Sequence, residues 1–341
     1  MSEVLKEEDI PNNALTYCDL GIAYECNMKC RMCSFWLDSP LNKDNVLSIE
    51  NWMNILKQIS KFTESHECMI NFSGTGESLL RKDIFKLIEY GRSLNLKIQI
   101  ISNGLCVSEE MAKNIHNSGR EHICFSLDSL NPKTHDFMRG KDQAHKAVMN
   151  AIDNIAAFSP ETIIGINTII SGVNLDEIVE LVEWVYQNEN IAYINFQAIA
   201  QPFSYNQAPD EEWFKREENS LLWPGDKQKI EMTMNRLIEL KRRGYKIAND
   251  VTQLNAFRRY FLDPLTFIKQ NRCNLGQAKV LNIDPAGNIA RCQLVGIIDN
   301  IKNGKSLKEI CASNEACEHL DKINKCRRNC HLVVSCYYHG E

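Results

Sequence analysis

Six apolar runs rich in β-branched residues recur along the first 200 residues, at intervals of about 30 residues, and they limit what the chain can fold into. Each run is bounded by polar segments and has the length of a strand rather than of a helix. Their composition predicts strands buried on both faces, as in a parallel sheet. The runs are 15–24, 68–74, 96–102, 122–128, 162–170 and 192–200.

The segments between these runs carry apolar residues at three- and four-residue spacing, which is typical of amphipathic helices. Helices are predicted near 48–62, 81–93, 108–118, 142–157 and 174–188. Strands and helices that alternate in this way form right-handed βαβ units. The predicted fold class is therefore α/β, with a partial (β/α)6 barrel that is similar to a TIM barrel. Ligands are expected at the carboxyl ends of its strands.

Composition and charge argue against several classes of protein. The 341 residues carry a net charge of -5 and their Lys and Arg residues are scattered, so no nucleic-acid surface is expected. No apolar run approaches the roughly 18 residues that a membrane span needs, and residues 1–14 are too polar for a signal peptide. A cytoplasmic location is predicted. In that reducing compartment, clustered thiols favour metal binding or catalysis over disulfides.

Three of the 14 cysteines lie within eight residues, as Cys26-x3-Cys30-x2-Cys33, directly after the first predicted strand. Three thiolates on one loop leave one iron of a cubic four-iron cluster without a protein ligand, and that iron is open to a substrate or cofactor. The alternatives are a zinc knuckle without its fourth ligand and three buried thiols. Structural zinc sites use four ligands and buried cysteines do not need this spacing, so the pattern favours an iron–sulfur cluster.

Polar motifs follow the next three strands at the same predicted edge of the sheet. They are "SGTGES" at 73–78, "SNG" at 102–104 and "SLDS" at 126–129. The cysteine motif followed by "GTGES" resembles the radical S-adenosylmethionine (radical SAM) superfamily over about residues 15–200. The resemblance implies that the open iron of a 4Fe-4S cluster held by Cys26, Cys30 and Cys33 binds the amino and carboxylate groups of SAM. Reduction then cleaves SAM to methionine and a 5′-deoxyadenosyl radical, which abstracts a hydrogen atom from the substrate.

The resemblance also implies which residues after the second strand contact SAM. Gly76 and Glu77 match the Gly-Gly-Glu-Pro motif of the family, whereas Thr75 and Ser78 depart from it. Gly76 lets the backbone approach the methionine amino group. Met32 stands where the family often has an aromatic residue against adenine, which changes the packing and not the chemistry.

Three further positions are implied SAM contacts. Asn103 and Ser126 end the third and fourth strands, where the family contacts the SAM carboxylate and ribose. Arg139, in "HDFMRG", occupies a position that often pairs with the carboxylate. Taken alone, Asn103 and Ser126 would be turn or capping residues and Arg139 a surface charge, while Asp128 is expected to order its loop.

A second group of cysteines lies near the end of the chain. "VLNID" and "IARCQLV" predict a β-hairpin turned at "PAGN". This region resembles the C-terminal auxiliary-cluster domain of radical SAM enzymes, called SPASM with two clusters and twitch with one. The shorter form is expected, with one auxiliary 4Fe-4S cluster. Its expected ligands are Cys273, Cys292, Cys330 and either Cys326 or Cys336.

Two alternatives stay open for this region. Paired cysteines at hairpin ends also suit a zinc ribbon. Cys311 and Cys317 flank a helix-like segment and are read as plain thiols, although Cys317 and the leftover cysteine could support a second auxiliary cluster.

The sequence therefore predicts four regions. These are an N-terminal extension at 1–14, the radical SAM partial barrel at 15–200, a bridging loop and helix at 201–262, and a SPASM- or twitch-like domain of hairpin plus helix at 263–341.

The predicted activity is a net oxidation of a small molecule such as a sugar or aminocyclitol, with SAM as co-substrate. A thiolate-ligated auxiliary cluster can accept the electron left on a substrate radical, and the 25 residues before Cys26 are too few for the peptide-recognition domain of many peptide maturases. Peptide crosslinking or epimerisation is the alternative, as is a non-catalytic electron-transfer or scaffold role. Epimerisation needs a thiol donor, for which Cys106 and Cys124 are the candidates. A flavodoxin- or ferredoxin-type electron donor is the expected protein partner.

Overall fold

The computed structural model describes residues 15, 17–37, 45–62, 68–73, 75–119, 122–202, 210–271, 273, 275 and 280–326. Nine strands in these residues form one sheet, in the order β6-β5-β4-β3-β2-β1-β7-β8-β9. The strands are β1 (Tyr17–Leu20), β2 (Met69–Phe72), β3 (Lys97–Ser102), β4 (His122–Ser126), β5 (Ile163–Ile170), β6 (Ile191–Ala198), β7 (Val280–Ile283), β8 (Asn288–Ala290) and β9 (Asp299–Asn300).

Helices connect and cover these strands. They are α1 (Ile49–Phe62), α2 (Ile84–Ser93), α3 (Glu109–Ser118), α4 (Pro132–Arg139), α5 (Ala144–Phe158), α6 (Ile178–Gln187), α7 (Lys227–Arg242), α8 (Val251–Leu262), α9 (Pro264–Gln270), α10 (Leu307–Cys311) and α11 (Asn314–Lys325). Several begin at a side chain that caps the first turn, such as Ser108 at α3, Asn131 at α4 and Asp226 at α7.

Strands β1 to β6 are all parallel to their neighbours, so their carboxyl ends lie at one edge of the sheet. This arrangement confirms the predicted α/β partial barrel, and the six strands fall inside the six predicted runs to within one residue. The core lies between the sheet and helices α1 to α6, and it includes fully buried Leu20, Ile100, Phe125 and Ile166.

The expectation of strands buried on both faces is wrong for β1 and β3. Burial alternates along both strands, with Cys18 and Leu20 fully buried and Tyr17 and Asp19 partly exposed. One face packs on the helices and the other lines the inside of the partial barrel. The inner face is therefore polar where a closed barrel would have apolar layers.

The C-terminal hairpin extends the barrel sheet. Strand β7 pairs in parallel with β1, and β8 pairs with β7 in the antiparallel sense. Gly287 lies in the hairpin turn with φ 91°, a conformation that favours glycine. The predicted hairpin is confirmed, and its pairing with β1 places it beside the first strand of the barrel.

The irregular segment before α7 packs onto the end of β5. Gly172 donates its backbone N–H to the Leu222 carbonyl at 2.7 Å. Trp213 is fully buried and meets Trp223 edge to face, with ring centroids 5.7 Å apart. These aromatic residues belong to the core of the molecule rather than to a mobile cover.

No helix among the described residues is both long enough and apolar enough to span a bilayer.

Candidate active site

The loop at 21–33, which carries the first three cysteines, is fixed by backbone contacts to the segment that follows β2. Glu77 donates its N–H to the Glu25 carbonyl at 2.8 Å, and the Thr75 hydroxyl donates to the Ala23 carbonyl at 2.7 Å. A Cβ atom at Gly76 would lie 2.4 Å from the Glu25 oxygen. Glycine is therefore required for contact with the cysteine loop itself.

The end of β3 fixes the middle of the same loop. Asn103 donates its side-chain N–H to Asn27 Oδ1 at 2.7 Å, and Asn27 in turn donates to Cys106 Sγ at 3.3 Å. Asn27 lies between the first two cysteines of the motif. Asn103, which stays a predicted SAM contact, positions the cysteine loop through Asn27, and Cys106 lies beside that loop.

Helix α4 holds the loop from its other side. Arg31 donates its backbone N–H to the Met138 carbonyl at 2.9 Å, and its guanidinium lies over the Phe137 ring, 3.9 Å from the centroid. Gly140 ends the helix with φ 59°, and a Cβ atom there would lie 2.1 Å from the Lys29 oxygen. The loop is therefore clamped between α4 and the ends of β2 and β3.

The thiols of Cys26, Cys30 and Cys33 lie close enough to influence one another's ionisation. Burial, together with the neighbouring thiols, raises the pKa of Cys26 to about 11 and that of Cys33 to about 12. Burial also raises the pKa of Cys30, although the Arg139 cation opposes it. Buried thiols with raised pKa values are poor nucleophiles, whereas a metal displaces their protons on binding.

This donor set fits an iron–sulfur cluster. In the part of the chain that the structure describes, no three His, Cys, Asp or Glu side chains lie close enough to share a single metal ion. A four-iron cluster instead takes each thiolate on a different iron. Three soft ligands converging from one loop could hold such a cluster with one iron left open.

Glu77 is buried beside this loop, at 3% exposure. Its Oε2 accepts the backbone N–H of Asn103 at 2.8 Å and its Oε1 accepts that of Leu79 at 3.2 Å. Burial raises the pKa of Glu77, while these hydrogen bonds oppose the rise. The Ser102 side chain also donates a hydrogen bond to this carboxylate, which leaves about one of its four lone-pair positions for a ligand amine.

Arg139 and Asp128 form a buried ion pair, with Nε and Oδ2 2.7 Å apart. Arg139 also contacts the Cys30 thiol. Asp128 accepts the Ile169 N–H at 3.0 Å through Oδ1, and its own backbone N–H donates to His135 Nδ1 at 3.2 Å. Arg139 is therefore not a surface charge: it is a cation held beside the Cys30 thiol, and Asp128 orders the loop after β4 as expected.

The remaining predicted positions are less closely connected to the loop. Ser126 ends β4, with its side chain partly exposed. Met32 is 8% exposed and packs in the main core. Cys124 lies on the inner face, where its Sγ is 2.9 Å from both Tyr193 OH and Gln99 Nε2.

A second group of thiols lies at the opposite ends of the strands. Cys273 and Cys292 pack with Tyr17, the first residue of β1, in a small apolar cluster of their own. Strand β8 is antiparallel to β7, so Cys292, just after β8, comes beside the amino end of β7. The ionisation of Cys292 is influenced by Cys273 and Cys326, and burial raises its pKa to about 11.

Helix α11 brings Cys326 to this group. His319 on α11 accepts the Cys292 N–H at Nε2, at 3.2 Å, and Cys326 directly follows the last residue of the helix. Sequence reasoning did not single out His319, whose only signal is its position between Cys317 and Cys326. The two other predicted ligands, Cys330 and Cys336, lie outside the described residues.

The fold and the first thiol group define a class of protein. Residues 21–185 match the sequence model of the Radical SAM superfamily. This part of the chain is a radical SAM domain, and that family implies a 4Fe-4S cluster and SAM.

The chain is also similar to particular proteins. It is 26% identical over 184 residues to the AdoMet-dependent heme synthase of Methanosarcina barkeri, a match that covers 53% of this chain and 51% of that protein. It is 26% identical over 166 residues to the sporulation killing factor maturation protein SkfB of Bacillus subtilis, covering 49% of this chain and 38% of SkfB. The chain thus spans about half or less of these curated relatives.

A solved structure extends the likeness beyond the radical SAM domain. Streptococcus suis SuiB bound to the precursor peptide SuiA superposes with a TM-score of 0.67 at 16% identity, covering 95% of this chain and 71% of SuiB. At this identity the likeness concerns the fold alone.

Proposed function

We propose that the protein is a radical SAM enzyme with one auxiliary iron–sulfur cluster, and that it oxidises a small polar molecule such as a sugar or aminocyclitol. The observation that carries the proposal is the placement of two thiol groups at opposite ends of β1. The cysteine loop follows the carboxyl end of this strand, and Tyr17 at its amino end packs with Cys273 and Cys292. The inner face of the sheet lies between the two groups.

Cys26, Cys30 and Cys33 would hold the first cluster. When bound there, the cluster and SAM would supply a 5′-deoxyadenosyl radical that abstracts hydrogen from the substrate. Arg139 holds a positive charge against Cys30, which favours the thiolate that iron requires. The loop itself is kept in place by its contacts with α4 and with residues 75–77.

Five other residues would surround SAM. Glu77 offers buried carboxylate oxygens for an amine, and Gly76 and Thr75 bring the backbone after β2 against the loop. Asn103 and Ser126 stand at the carboxyl ends of β3 and β4, the edge where parallel sheets bind ligands. Met32, between Cys30 and Cys33, is buried in the main core and anchors the loop there.

Cys273, Cys292 and Cys326 would hold the auxiliary cluster, completed by Cys330 or Cys336. When bound there, this cluster would supply an acceptor for the electron that a substrate loses on oxidation. His319 fixes the Cys292 backbone and thereby joins α11 to the hairpin. A flavodoxin- or ferredoxin-type protein would deliver the electrons that SAM cleavage consumes.

Peptide modification is the second candidate function. It is favoured by the similarity to SkfB, named as a maturation protein, and by the similarity in fold to SuiB, solved with its precursor peptide.

The experiment removes the first group of thiols and leaves the second. Anaerobically reconstituted wild type is expected to bind roughly eight iron atoms and to form 5′-deoxyadenosine from SAM after reduction. The triple variant Cys26→Ala, Cys30→Ala, Cys33→Ala is expected to keep about four iron and to form none, because the two ligand sets share no residue.

A variant with Cys273, Cys292 and Cys326 replaced by Ala is the matched control and should lose the other half of the iron. Continued 5′-deoxyadenosine formation by the first variant would refute the assignment of the SAM site. About four iron with one zinc in wild type would show a zinc site in place of the auxiliary cluster. Wild type that forms no 5′-deoxyadenosine would indicate an electron carrier or scaffold.

A further inference from the structure

A row of polar side chains crosses the inner face of the sheet between the two thiol groups. In-register pairing places Asn282, Asp19, Asn71, Gln99 and His122 side by side on β7, β1, β2, β3 and β4. Residues paired in register on parallel strands point to the same face. These five residues are called the polar row below.

The polar row faces away from the helices. Ile98 precedes Gln99 in β3, so its side chain lies on the opposite face of the sheet. That side chain contacts α2: a Cβ atom added at Gly91 would lie 2.5 Å from Ile98 Cδ1. Cys18 and Leu20, on either side of Asp19, are fully buried in the core. Barrel interiors are ordinarily filled by branched apolar residues. A polar layer at this place lacks the apolar packing of a filled barrel, and it presents hydrogen-bonding groups to a ligand that binds at the inner face.

The outer members of the polar row are held by other protein groups. Tyr193 OH lies 3.1 Å from Gln99 Nε2 and 2.7 Å from His122 Nε2. Asn282 donates to the Arg291 carbonyl at 2.7 Å. Burial lowers the pKa of His122, so this imidazole is neutral at pH 7. Gln99, His122 and Asn282 are therefore uncharged and held in place on either side of the two central residues of the row.

The central pair, Asp19 and Asn71, is incompletely satisfied. The Asp19 carboxylate accepts a hydrogen bond from the Ser73 hydroxyl, and no cation of the described residues is paired with it. Asn71 is 3% exposed. Its Nδ2 donates a hydrogen bond to Tyr17 OH, and its Oδ1 has no hydrogen-bond partner in the described part of the chain.

The electrostatics of the pair favour a positive ligand. Burial raises the pKa of Asp19 to about 6, against the lowering effect of the Ser73 hydrogen bond. The carboxylate is therefore charged at pH 7 without a counter-ion, and withdrawing such a charge even partly from water is costly. A cation that enters the inner face would remove that cost and add a charge-assisted hydrogen bond.

We propose that Asp19, together with Asn71, binds a protonated amine of the substrate. The ligand class is a primary ammonium group on a polar, uncharged body, because the row offers one carboxylate among three amides and a neutral imidazole. The proposal rests on the proposed function in taking the inner face as the substrate site. Two sources carry this chemistry: an aminated sugar or cyclitol, and a lysine side chain of a peptide.

The test measures binding to reconstituted full-length protein by calorimetry at pH 7, with two matched probe pairs. Glucosamine is compared with glucose, and Nα-acetyl-lysine amide with Nα-acetyl-norleucine amide. At least one amine is expected to bind wild type about tenfold or more tighter than its neutral match. Asp19→Asn is expected to abolish that preference. Asp176→Asn, which removes an exposed carboxylate paired with Lys229, should keep it.

The probe that shows the preference identifies the source, since glucosamine stands for the aminated small molecule and lysine for the peptide. Equal binding within both pairs, or no binding by either amine, overturns the proposal, as does a preference that survives in Asp19→Asn. Thermal melts verify that Asp19→Asn is folded, which is expected because the change removes an unpaired charge that the fold withdraws from water. Binding does not require SAM cleavage, so failure here and failure in the 5′-deoxyadenosine assay are separate results.

Discussion

At the scale of single residues, the cysteine loop is distinguished by the buried cation that lies against Cys30. The contact of Arg139 with Asp128 and Cys30 joins residues from three separate segments, and it depends on how α4 packs against the loop. A lone arginine in a sequence carries no sign of such a partner.

The polar row was missed for a different reason. The segments "YCDL" and "KIQI" alternate polar and apolar residues, and this pattern was visible in the sequence. The apolar residues of these segments, considered alone, predict strands that are buried on both faces. Alternation in a parallel strand instead indicates an inner face that is left open for a ligand.

His135 belongs to this scale because burial lowers its pKa to about 2, aided by the nearby Arg139 and His145. The unfolded chain takes up a proton below about pH 6.5 and the folded chain does not, so the free energy of unfolding falls as the pH decreases from 6.5. His135→Asn keeps an acceptor for the Asp128 N–H but does not titrate. Between pH 7 and pH 5, urea unfolding of the metal-free protein should show about 2 kcal/mol less loss of stability in this variant than in wild type.

The control for this experiment is His116→Asn, because His116 is an exposed histidine on α3. Its pH dependence should follow wild type. Equal losses of stability in wild type and His135→Asn would mean that His135 becomes protonated in the folded protein.

At the scale of elements, the strands and most helices followed from periodicity, whereas α4, α8 and α9 were not predicted. Helix α4 has eight residues and a polar sequence, and its role is to hold the cysteine loop. Its start signals, Asn131 at the cap and Pro132 in the first turn, were present in the sequence. A helix this short lacks the repeated apolar stripe on which the other predictions relied.

Gly140→Ala tests the contact between α4 and the loop. Gly140 and Gly244 both have positive φ, at 59° and 85°, but only Gly140 has a neighbour, the Lys29 oxygen, in the path of a Cβ. In both variants the alanine must adopt the left-handed backbone conformation, which should lower the free energy of unfolding by about 1 kcal/mol. Gly140→Ala should lose stability beyond this and should retain less iron at the first thiol group, whereas Gly244→Ala should keep its iron.

Thermal unfolding and iron analysis of the two reconstituted variants provide the comparison. If the two glycine variants behave alike in both measurements, the close approach of α4 does not position the loop.

At the scale of the whole molecule, the sequence predicts the fold class and the presence of a cysteine-rich hairpin after the barrel. It does not predict where the two thiol groups lie relative to each other. That relation depends on β7 joining β1, and no local pattern states which strand edge a distant hairpin selects. Because β7 pairs with β1, the two cysteine motifs lie at opposite ends of β1.

The net reaction is expected to be an oxidation, because the auxiliary cluster proposed at the second thiol group would provide an electron acceptor at the far end of the inner face. The thiols nearest the inner face are already engaged, Cys106 with Asn27 and Cys124 with Tyr193, and burial raises the pKa of Cys124 to about 11. Mass spectrometry should find a product lighter than the substrate by two hydrogens, and deuterium from the attacked carbon should appear in 5′-deoxyadenosine.

The same reaction run in heavy water distinguishes the alternative. A product of unchanged mass that gains one solvent deuterium would show that hydrogen is returned to the substrate, as in epimerisation. Cys124→Ser and Cys106→Ser would then identify the donor.

The position of β1 in the sheet affects how the chain folds during its synthesis. This strand is near the start of the chain, but its second neighbour, β7, begins only at Val280. While the ribosome synthesises the residues between them, one edge of β1 has no partner strand, and an open edge of this kind promotes association between chains. The parallel pairing that finally covers the edge must close a loop of most of the sequence, which slows folding. The strands and helix that hold the loop at 26–33 all precede Val280 in the chain, so this loop can form before β7 is present. The second thiol group packs on Tyr17 of β1 and therefore depends on the pairing of β7 with that strand.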